Sequence, residues 1–215
     1  MSNKYSSITK SAIERYSARF ASLGVDVKSL GWGSVEQQSY RFSCALNAIN
    51  GRDKTFLDIG CGFGDMREYA NRIGYPIKKY TGWDINDEFI NVARSNYPSD
   101  TFNVADLSAG DCKHDHVAQM GIMLGLLNFN LGCASKNIEY SQFMIKTAFG
   151  LVSESLVVDF LSSHTAPTYE PESFVFYHEP EEMLKYALEL TSNVKLIHDY
   201  QPIPQKEFML VLSHV

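Results

Sequence analysis

Apolar runs and mixed polar stretches alternate regularly along this chain after a polar helical segment at its start. The apolar runs predict strands near 55–59, 79–84, 101–105, 116–123, 155–161, 194–199 and 207–213. The mixed stretches predict helices near 8–22, 35–49, 64–73, 87–97, 138–150 and 180–191. This alternation is typical of an α/β fold, with a mainly parallel sheet and helices on both faces.

The last two predicted strands are close together in sequence. A short link at 201–206, which contains two prolines, joins them. So short a link predicts an antiparallel hairpin, because parallel neighbours need a long crossover. We therefore expect a reversed strand at the C-terminal end of the sheet.

Composition narrows the class of protein. The chain has 215 residues, of which 45% are hydrophobic and 13% aromatic, enough for one large α/β domain with a sizeable core. Its formal charge is −6, and Lys/Arg-rich stretches interleaved with aromatics are absent, so we expect no nucleic-acid partner. The longest apolar stretch, 120–127, is too short to span a membrane. We therefore expect a soluble, cytoplasmic protein with no membrane partner.

Cysteines and histidines do not form a metal-binding pattern. The four cysteines lack a Cys-x-x-Cys pair, which argues against a zinc site or a disulfide scaffold. His114 and His116 flank Asp115 before the fourth predicted strand, at the opposite end of the sheet from a typical site. Without a third ligand elsewhere they are poor support for a metal. The sequence predicts no metal.

A glycine-rich turn follows the first predicted strand. Residues 57–65 read Leu-Asp-Ile-Gly-Cys-Gly-Phe-Gly-Asp, with Asp58 two positions before Gly60. Glycines let the backbone turn sharply and let a ligand approach it, and the helix that follows offers free N–H groups. The order acid-x-Gly-x-Gly-x-Gly differs from the dinucleotide-binding Gly-x-Gly-x-x-Gly. The segment predicts a nucleotide-type cradle of another kind.

An acidic residue ends each of the next two predicted strands. Asp84 comes 24 residues after Gly60, close to the spacing of a carboxylate that binds a ribose diol. Asp106 ends the third strand. Each acid has an alternative interpretation as a cap, Asp84 of the following helix and Asp106 of the next turn. The cradle, the two acids and the hairpin together favour a cofactor site.

The segment 57–65 resembles motif I of the class I S-adenosylmethionine-dependent methyltransferases. The resemblance implies a Rossmann-like, seven-stranded methyltransferase sheet and S-adenosyl-L-methionine as the cofactor. In this family the glycine turn wraps the amino acid and ribose parts of the cofactor, and an acid at the position of Asp106 binds the adenine amino group. The cofactor-binding residues that the resemblance implies here are Asp58, Gly60, Cys61, Gly62, Gly64, Asp84, Ile85, Asp106, Leu107 and Met120.

The N-terminal segment and the tail resemble a group of small bacterial methyltransferases. The resemblance lies in Leu-Gly-Trp-Gly-Ser at 30–34, Tyr-His-Glu-Pro at 177–180 and His-Asp-Tyr at 198–200. In the wider family the N-terminal helices fold over the bound cofactor. This implies a helical lid at 1–50 and a cofactor-binding Rossmann-like domain at 51–215.

Two residues of the predicted lid are candidates for cofactor contacts. Trp32 stands between two glycines and either seals the site or packs as an aromatic in a loop. Arg41 either pairs with the cofactor carboxylate, which suits a planar guanidinium, or is a surface arginine on a helix. The sequence leaves both alternatives open.

Residues beyond the carboxyl ends of the later strands are candidates for catalysis, because ligands of an open α/β sheet bind there. His164 follows the fifth predicted strand, and histidine is the residue type most often used as a base near neutral pH, so it is the best candidate for a base. Its alternative interpretation is an exposed loop histidine. Tyr200 follows the sixth strand, and Tyr16 would reach in from the lid.

The methyl acceptor is constrained mainly by absent motifs. An Asn/Asp-Pro-Pro-Tyr/Phe segment, which marks enzymes that methylate planar nitrogens of nucleobases or glutamine, does not follow the fourth predicted strand. We therefore expect methyl transfer to an oxygen or nitrogen of a small molecule, such as a sugar or another biosynthetic metabolite. A non-catalytic S-adenosylmethionine-binding protein and a protein methyltransferase stay open. A nicotinamide-dependent oxidoreductase is disfavoured by Asp58 and the terminal hairpin. The sequence leaves the oligomeric state unknown.

Overall fold

A computed structural model of the chain describes residues 4–110, 116–199 and 206–215. One seven-stranded sheet runs through it in the order β3-β2-β1-β4-β5-β7-β6. The strands are β1 (Lys54–Ile59), β2 (Ile77–Asp84), β3 (Thr101–Val104), β4 (Ala118–Met123), β5 (Val152–Leu161), β6 (Asn193–Ile197) and β7 (Glu207–Ser213). The α-helices are α1 (Ser6–Leu23), α2 (Val35–Ala48), α3 (Asp65–Arg72), α4 (Asp87–Asn96), α5 (Ala134–Gly150) and α6 (Pro180–Leu190).

Strand directions agree with the fold class expected from the sequence. Strands β1 to β5 pair in parallel, whereas β7 is antiparallel to both β5 and β6. The Rossmann-like sheet, the terminal hairpin and the reversed last strand are therefore confirmed. Helix α5 begins at Ala134, four residues before its predicted start at 138. Two short 3₁₀ helices, Val27–Leu30 and Leu107–Ala109, were not predicted.

Helices cover both faces of the sheet because each face carries apolar side chains. Buried residues of α2, α3 and α4 form one core cluster with β1, β2 and β4, whereas α5 and α6 form the other with β1, β5 and β7. Consecutive residues of β1 serve opposite faces, so Phe56 belongs to one cluster and Leu57 to the other. Helix α1 differs from these helices, because none of its residues is fully buried.

Two helices, α2 and α6, begin with residues that favour the start of a helix. Ser34 accepts a hydrogen bond from the Gln37 N–H at the start of α2. Pro180 occupies the first turn of α6, followed by Glu181 and Glu182 at the positive end of the helix dipole. No helix in the described part of the chain is both long and apolar enough to cross a membrane.

The strand order locates the binding crevice. The chain runs outward from β1 through β2 to β3 on one side and from β4 to β5 on the other. The crossovers on either side of the β1–β4 pair therefore leave in opposite directions, which opens a crevice beyond the carboxyl ends of these two strands. The division into a lid at 1–50 and a domain at 51–215 stays a prediction.

Candidate cofactor and acceptor pocket

A deep pocket occupies this crevice. Its walls come from the turns after β1, β2, β3 and β4, from α1 and α5, and from the segment that contains Trp32. Predicted site residues in the wall are Tyr16, Trp32, Asp58, Gly60, Cys61, Gly62, Asp84, Ile85, Asp106 and Leu107. The structure therefore brings most of the predicted cofactor residues together, although their roles stay predictions.

Glycine is required at the first and third positions of the turn after β1, Gly60 and Gly62. Gly60 and Gly62 have φ angles of +78° and +54°, which other residues rarely adopt. A Cβ atom at Gly60 would lie 2.4 Å from Leu126 Cδ1, and one at Gly62 would lie 2.8 Å from Leu30 Cδ1. The two missing side chains let neighbouring residues close on the turn and leave its backbone next to the pocket.

Asp84, at the tip of β2, holds the glycine turn in place. Its Oδ2 accepts a hydrogen bond from the Gly62 N–H at 3.0 Å, and its Oδ1 accepts one from the Asn86 N–H at 2.9 Å. Each oxygen has a further lone pair for a ligand hydroxyl. The alternative in which Asp84 caps the following helix is wrong, because Asn86 is the N-cap of α4 and accepts from the Glu88 and Phe89 N–H groups.

Asp106 connects the turn after β3 to α1. Its Oδ1 accepts hydrogen bonds from the Ser108 N–H at 2.8 Å and from the Ser108 hydroxyl at 2.6 Å, which caps the short helix Leu107–Ala109. Its Oδ2 accepts one from the Thr9 hydroxyl at 2.9 Å. The capping interpretation is thus confirmed, and the carboxylate lines the pocket as well. Binding of an adenine amino group stays a prediction.

Negative groups dominate the electrostatics of the pocket. Asp58, Asp65, Asp84 and Asp106 line it, and burial raises the pKa of the first three. Burial raises the pKa of Asp58 to about 7, although the Tyr80 hydroxyl donates a hydrogen bond to its carboxylate. An excess of acids suits a ligand that carries positive charge.

Helix α1 supplies the cover of the pocket. Ile8, Thr9, Ala12, Arg15 and Tyr16 line it from one face of the helix. Burial raises the pKa of the Tyr16 phenol, so this hydroxyl keeps its proton and can donate a hydrogen bond. Of the three residues predicted for catalysis, Tyr16 is the one in the described pocket wall.

Arg41 lies beside the pocket but binds protein carboxylates. Its guanidinium is buried, with Nη1 3.4 Å from Asp159 Oδ2 and Nη2 in an ion pair with Glu207. It therefore isn't the surface arginine that was the alternative interpretation. Two protein carboxylates take the place that the prediction gave to the cofactor carboxylate, and Arg41 is absent from the described pocket wall.

Trp32 combines the two interpretations that the sequence left open. Its ring lies 4.5 Å from the Arg41 guanidinium carbon and against Gly125, which is packing within the protein. The same side chain lines the pocket. A seal over a bound cofactor stays a prediction.

Besides Arg41, three predicted site residues are absent from the described pocket wall, and a fourth is not among the described residues. Met120 is buried in the middle of β4, four residues before Leu124, the first residue of this segment that lines the pocket. Gly64 precedes α3, and its Cα faces the side chains of Tyr97 and Phe102. His164 is exposed, and its Nε2 lies 2.9 Å from Glu181 Oε1, outside the described pocket wall. Tyr200 lies outside the described residues.

Several wall residues were not predicted. The segment 124–127 directly follows β4, and its position beyond a predicted strand end was the available signal. Tyr140 and Met144 of α5 and Phe129 also line the pocket. They carried no such signal, because apolar side chains on a helix or loop look the same in sequence whether they face a core or a cavity. Metal-binding clusters are absent from the part of the chain that the structure describes.

Comparisons with known proteins agree with this geometry. Residues 57–120 match the family model described as a methyltransferase domain. No curated protein is detectably similar to the chain in sequence. Magnesium protoporphyrin IX methyltransferase from Synechocystis PCC 6803, crystallised with bound SAH, aligns over 99% of this chain and 98% of its own with a TM-score of 0.64 and 14% identity.

Two further solved structures are similar over most of their length. An S-adenosylmethionine-dependent methyltransferase from Clostridium acetobutylicum aligns over 93% of this chain and 98% of its own, with a TM-score of 0.57 and 12% identity. One from Archaeoglobus fulgidus aligns over 85% and 95%, with a TM-score of 0.60 and 14% identity. At such identities the similarity shows a common fold.

Proposed function

We propose that the chain is a class I S-adenosylmethionine-dependent methyltransferase that methylates an oxygen or nitrogen atom of a small molecule. One observation carries the proposal. The pocket continues from the glycine turn and Asp84 into an apolar chamber covered by α1. A small acceptor fits such a chamber, whereas a flat surface would suit a macromolecule.

In this proposal one half of the pocket binds the cofactor and the other half binds the methyl acceptor. The nucleoside half consists of Gly60, Gly62, Asp84, Ile85 and Asp106, and the acceptor half of Arg15, Leu126, Phe129, Tyr140 and Met144. The backbone of the glycine turn beside the pocket, the free lone pairs of Asp84 and the excess of acids fit S-adenosylmethionine, which has a ribose diol and a positive sulfonium. In this proposal Asp84 holds the ribose and the glycine turn holds the adjoining chain of the cofactor.

When bound, S-adenosylmethionine supplies an electrophilic methyl group on its sulfonium. The residues of this chain contribute alignment and exclusion of water. Ile8 and Ala12 of α1 and Met144 of α5 present apolar surface to the chamber. Tyr16, protonated because its pKa is raised by burial, donates a hydrogen bond that orients the acceptor.

The proposed acceptor is not a nucleic acid. A mildly acidic chain, with a formal charge of −6, is poorly suited to nucleic acid. A free metabolite of the cytoplasm stays the predicted acceptor, and the oligomeric state stays open.

The test uses S-adenosylmethionine with a labelled methyl group. The full chain is incubated with a cell extract, and the label is followed separately in the dialysable and the protein fractions. We expect enzyme-dependent label in the dialysable fraction, lost in Asp84→Ala and kept in Asp87→Ala, an exposed acid three residues away. Label in protein alone would make the chain a protein methyltransferase, and tight cofactor binding with no label in either fraction would make it non-catalytic.

A further inference from the structure

Arg15 is the one cationic side chain in the described wall of the pocket. Its guanidinium carbon lies 5.0 Å from the ring centre of Phe129 and 5.4 Å from that of Phe174. No carboxylate among the described residues forms an ion pair with it, in contrast to Arg41 and Arg67. A partly buried guanidinium without an anion is costly, which suggests that its anion comes from a ligand.

The two rings that face Arg15 are held by backbone hydrogen bonds between two loops. The Asn130 N–H donates to the Phe174 carbonyl at 3.0 Å, and the Phe176 N–H donates to the Asn128 carbonyl at 2.9 Å. Phe129 and Val175 form an isolated antiparallel bridge between these bonds. The aromatic surface under Arg15 is therefore preorganised, which lowers the entropic cost of binding an anion there.

Around Arg15 the acceptor half is apolar. Ile8 and Ala12 precede it on α1, and Leu126, Leu131 and Met144 line the chamber from the loop after β4 and from α5. Of the four acids of the pocket, Asp58 lies within β1, Asp84 ends β2 and Asp65 starts α3, whereas Asp106 follows β3 and accepts a hydrogen bond from Thr9 of α1. Beside Arg15, an acceptor that fills this chamber therefore meets mainly apolar surface and one positive group.

We infer that the acceptor is a carboxylic acid with an apolar body, and that its ionised carboxylate binds Arg15. A planar guanidinium binds a carboxylate through two parallel hydrogen bonds, and such charge-assisted bonds strengthen where water is excluded. This inference rests on the proposed function, since it names the substrate class of the same site. Arg15 acts as a specificity-determining residue, and the atom that receives the methyl group is a separate question.

Matched pairs of small ligands test the inference without turnover. The probes are octanoate with octanamide and 3-phenylpropionate with its amide, measured by calorimetry on the full chain saturated with S-adenosylhomocysteine. In the wild type we expect at least one carboxylate to bind roughly tenfold or more tightly than its amide, because hydrogen bonds between two charged groups are stronger than those to a neutral amide. In Arg15→Met the two should bind alike.

Two further variants distinguish an ion pair between Arg15 and the carboxylate from a general effect of positive charge on α1. Lys10→Met removes an exposed positive charge from the same helix and should keep the preference for carboxylate. Arg15→Lys keeps the charge without the planar fork and should keep only part of the preference. Thermal melting of each variant shows whether it is folded.

Three outcomes would overturn the inference. In one, carboxylate and amide bind the wild type equally; in another, neither pair binds. In the third, Arg15→Met weakens S-adenosylhomocysteine but not 5′-methylthioadenosine, which lacks its carboxylate, so that Arg15 would hold the cofactor. Failure of the proposed function is distinguishable, because it appears in the labelling experiment, as label in protein alone or in neither fraction, and not in the binding of these ligand pairs.

Discussion

The nucleoside half and the acceptor half of the pocket are built in different ways. The nucleoside half consists of strand tips and one turn within a single stretch, from Gly60 to Asp106, and much of it is backbone or carboxylate bonded to backbone. The acceptor half gathers side chains from α1, the loop after β4 and α5, which are far apart in sequence. A cofactor common to many proteins can be bound by a local motif, whereas an acceptor is recognised by side chains that each protein places for itself.

The largest effect should come from the ion cluster that attaches the predicted lid to the acceptor side of the sheet. Arg41 extends from α2 to Asp159 of β5 and Glu207 of β7, all buried. Arg41→Met leaves two buried carboxylates without their cation, so we expect a loss of about 3–5 kcal/mol in the free energy of unfolding. Urea denaturation measures it.

A more exposed ion pair is the control for this substitution. Lys54 pairs with Glu154 at 2.8 Å, and both side chains are about one third exposed. Lys54→Met should cost about 1 kcal/mol or less. If Arg41→Met costs no more than this, the cluster does not hold the lid, and the acceptor half must be held by other contacts.

The second effect concerns pH and lies in the nucleoside half. Burial raises the pKa of Asp58 to about 7, above its value of 3.8 in an unfolded chain, so between these values only the folded state holds the proton. Stability should therefore fall as pH rises from about 4 to about 7. Between pH 5 and pH 7 the contribution of Asp58 is roughly 2–3 kcal/mol.

Asp58→Asn isolates this contribution, because an amide does not titrate. Between pH 5 and pH 8 the free energy of unfolding should fall more in the wild type than in the variant. Urea denaturation at each pH measures it. The substitution also replaces the acceptor of the Tyr80 hydroxyl, so the comparison is of slopes with pH and not of absolute stability. Parallel curves would mean that Asp58 is ionised in the folded chain.

The third effect probes the contact between the two halves. A Cβ at Gly60 would meet Leu126 Cδ1 at 2.4 Å, so the glycine of one half is packed by a side chain of the other. Gly60→Ala adds the strain of a left-handed alanine, about 1–2 kcal/mol, and displaces Leu126. We expect cofactor affinity to fall roughly tenfold, measured by calorimetry.

Gly74→Ala is its matched control. Gly74 has a similar φ of +63°, and a Cβ there would meet nothing within 4 Å. It should lose similar stability through backbone strain and keep its cofactor affinity. Equal affinity losses in the two variants would show that strain, and not the contact with Leu126, controls the turn.

The same contrast explains what could be predicted from sequence. The seven strands, the reversed β7 and the cluster around Asp84 followed from local patterns, because strand periodicity and glycine turns are read over a few residues. The pairing of Arg41 with Asp159, and the position of the Arg15 guanidinium in the pocket wall, could not be predicted from such local patterns. Arg41 and Arg15 both belong to the N-terminal segment predicted as a lid, and only the folded chain shows that carboxylates from β5 and β7 bind Arg41 whereas aromatic rings face Arg15.

The smallest effect is expected for His164, the base candidate on sequence grounds. Its imidazole pairs with Glu181 in an exposed position outside the described pocket wall, so the geometry gives no support to a role in proton transfer. His164→Gln should change stability by about 0.5 kcal/mol or less and leave turnover within about twofold of the wild type.

Tyr16→Phe provides the contrast, since it removes a hydroxyl from the pocket itself and should lower kcat with little change in cofactor affinity. A large loss of kcat in His164→Gln, with cofactor affinity unchanged, would mean that the loop after β5 reaches the acceptor during turnover, and the acceptor half would have to be extended to include it.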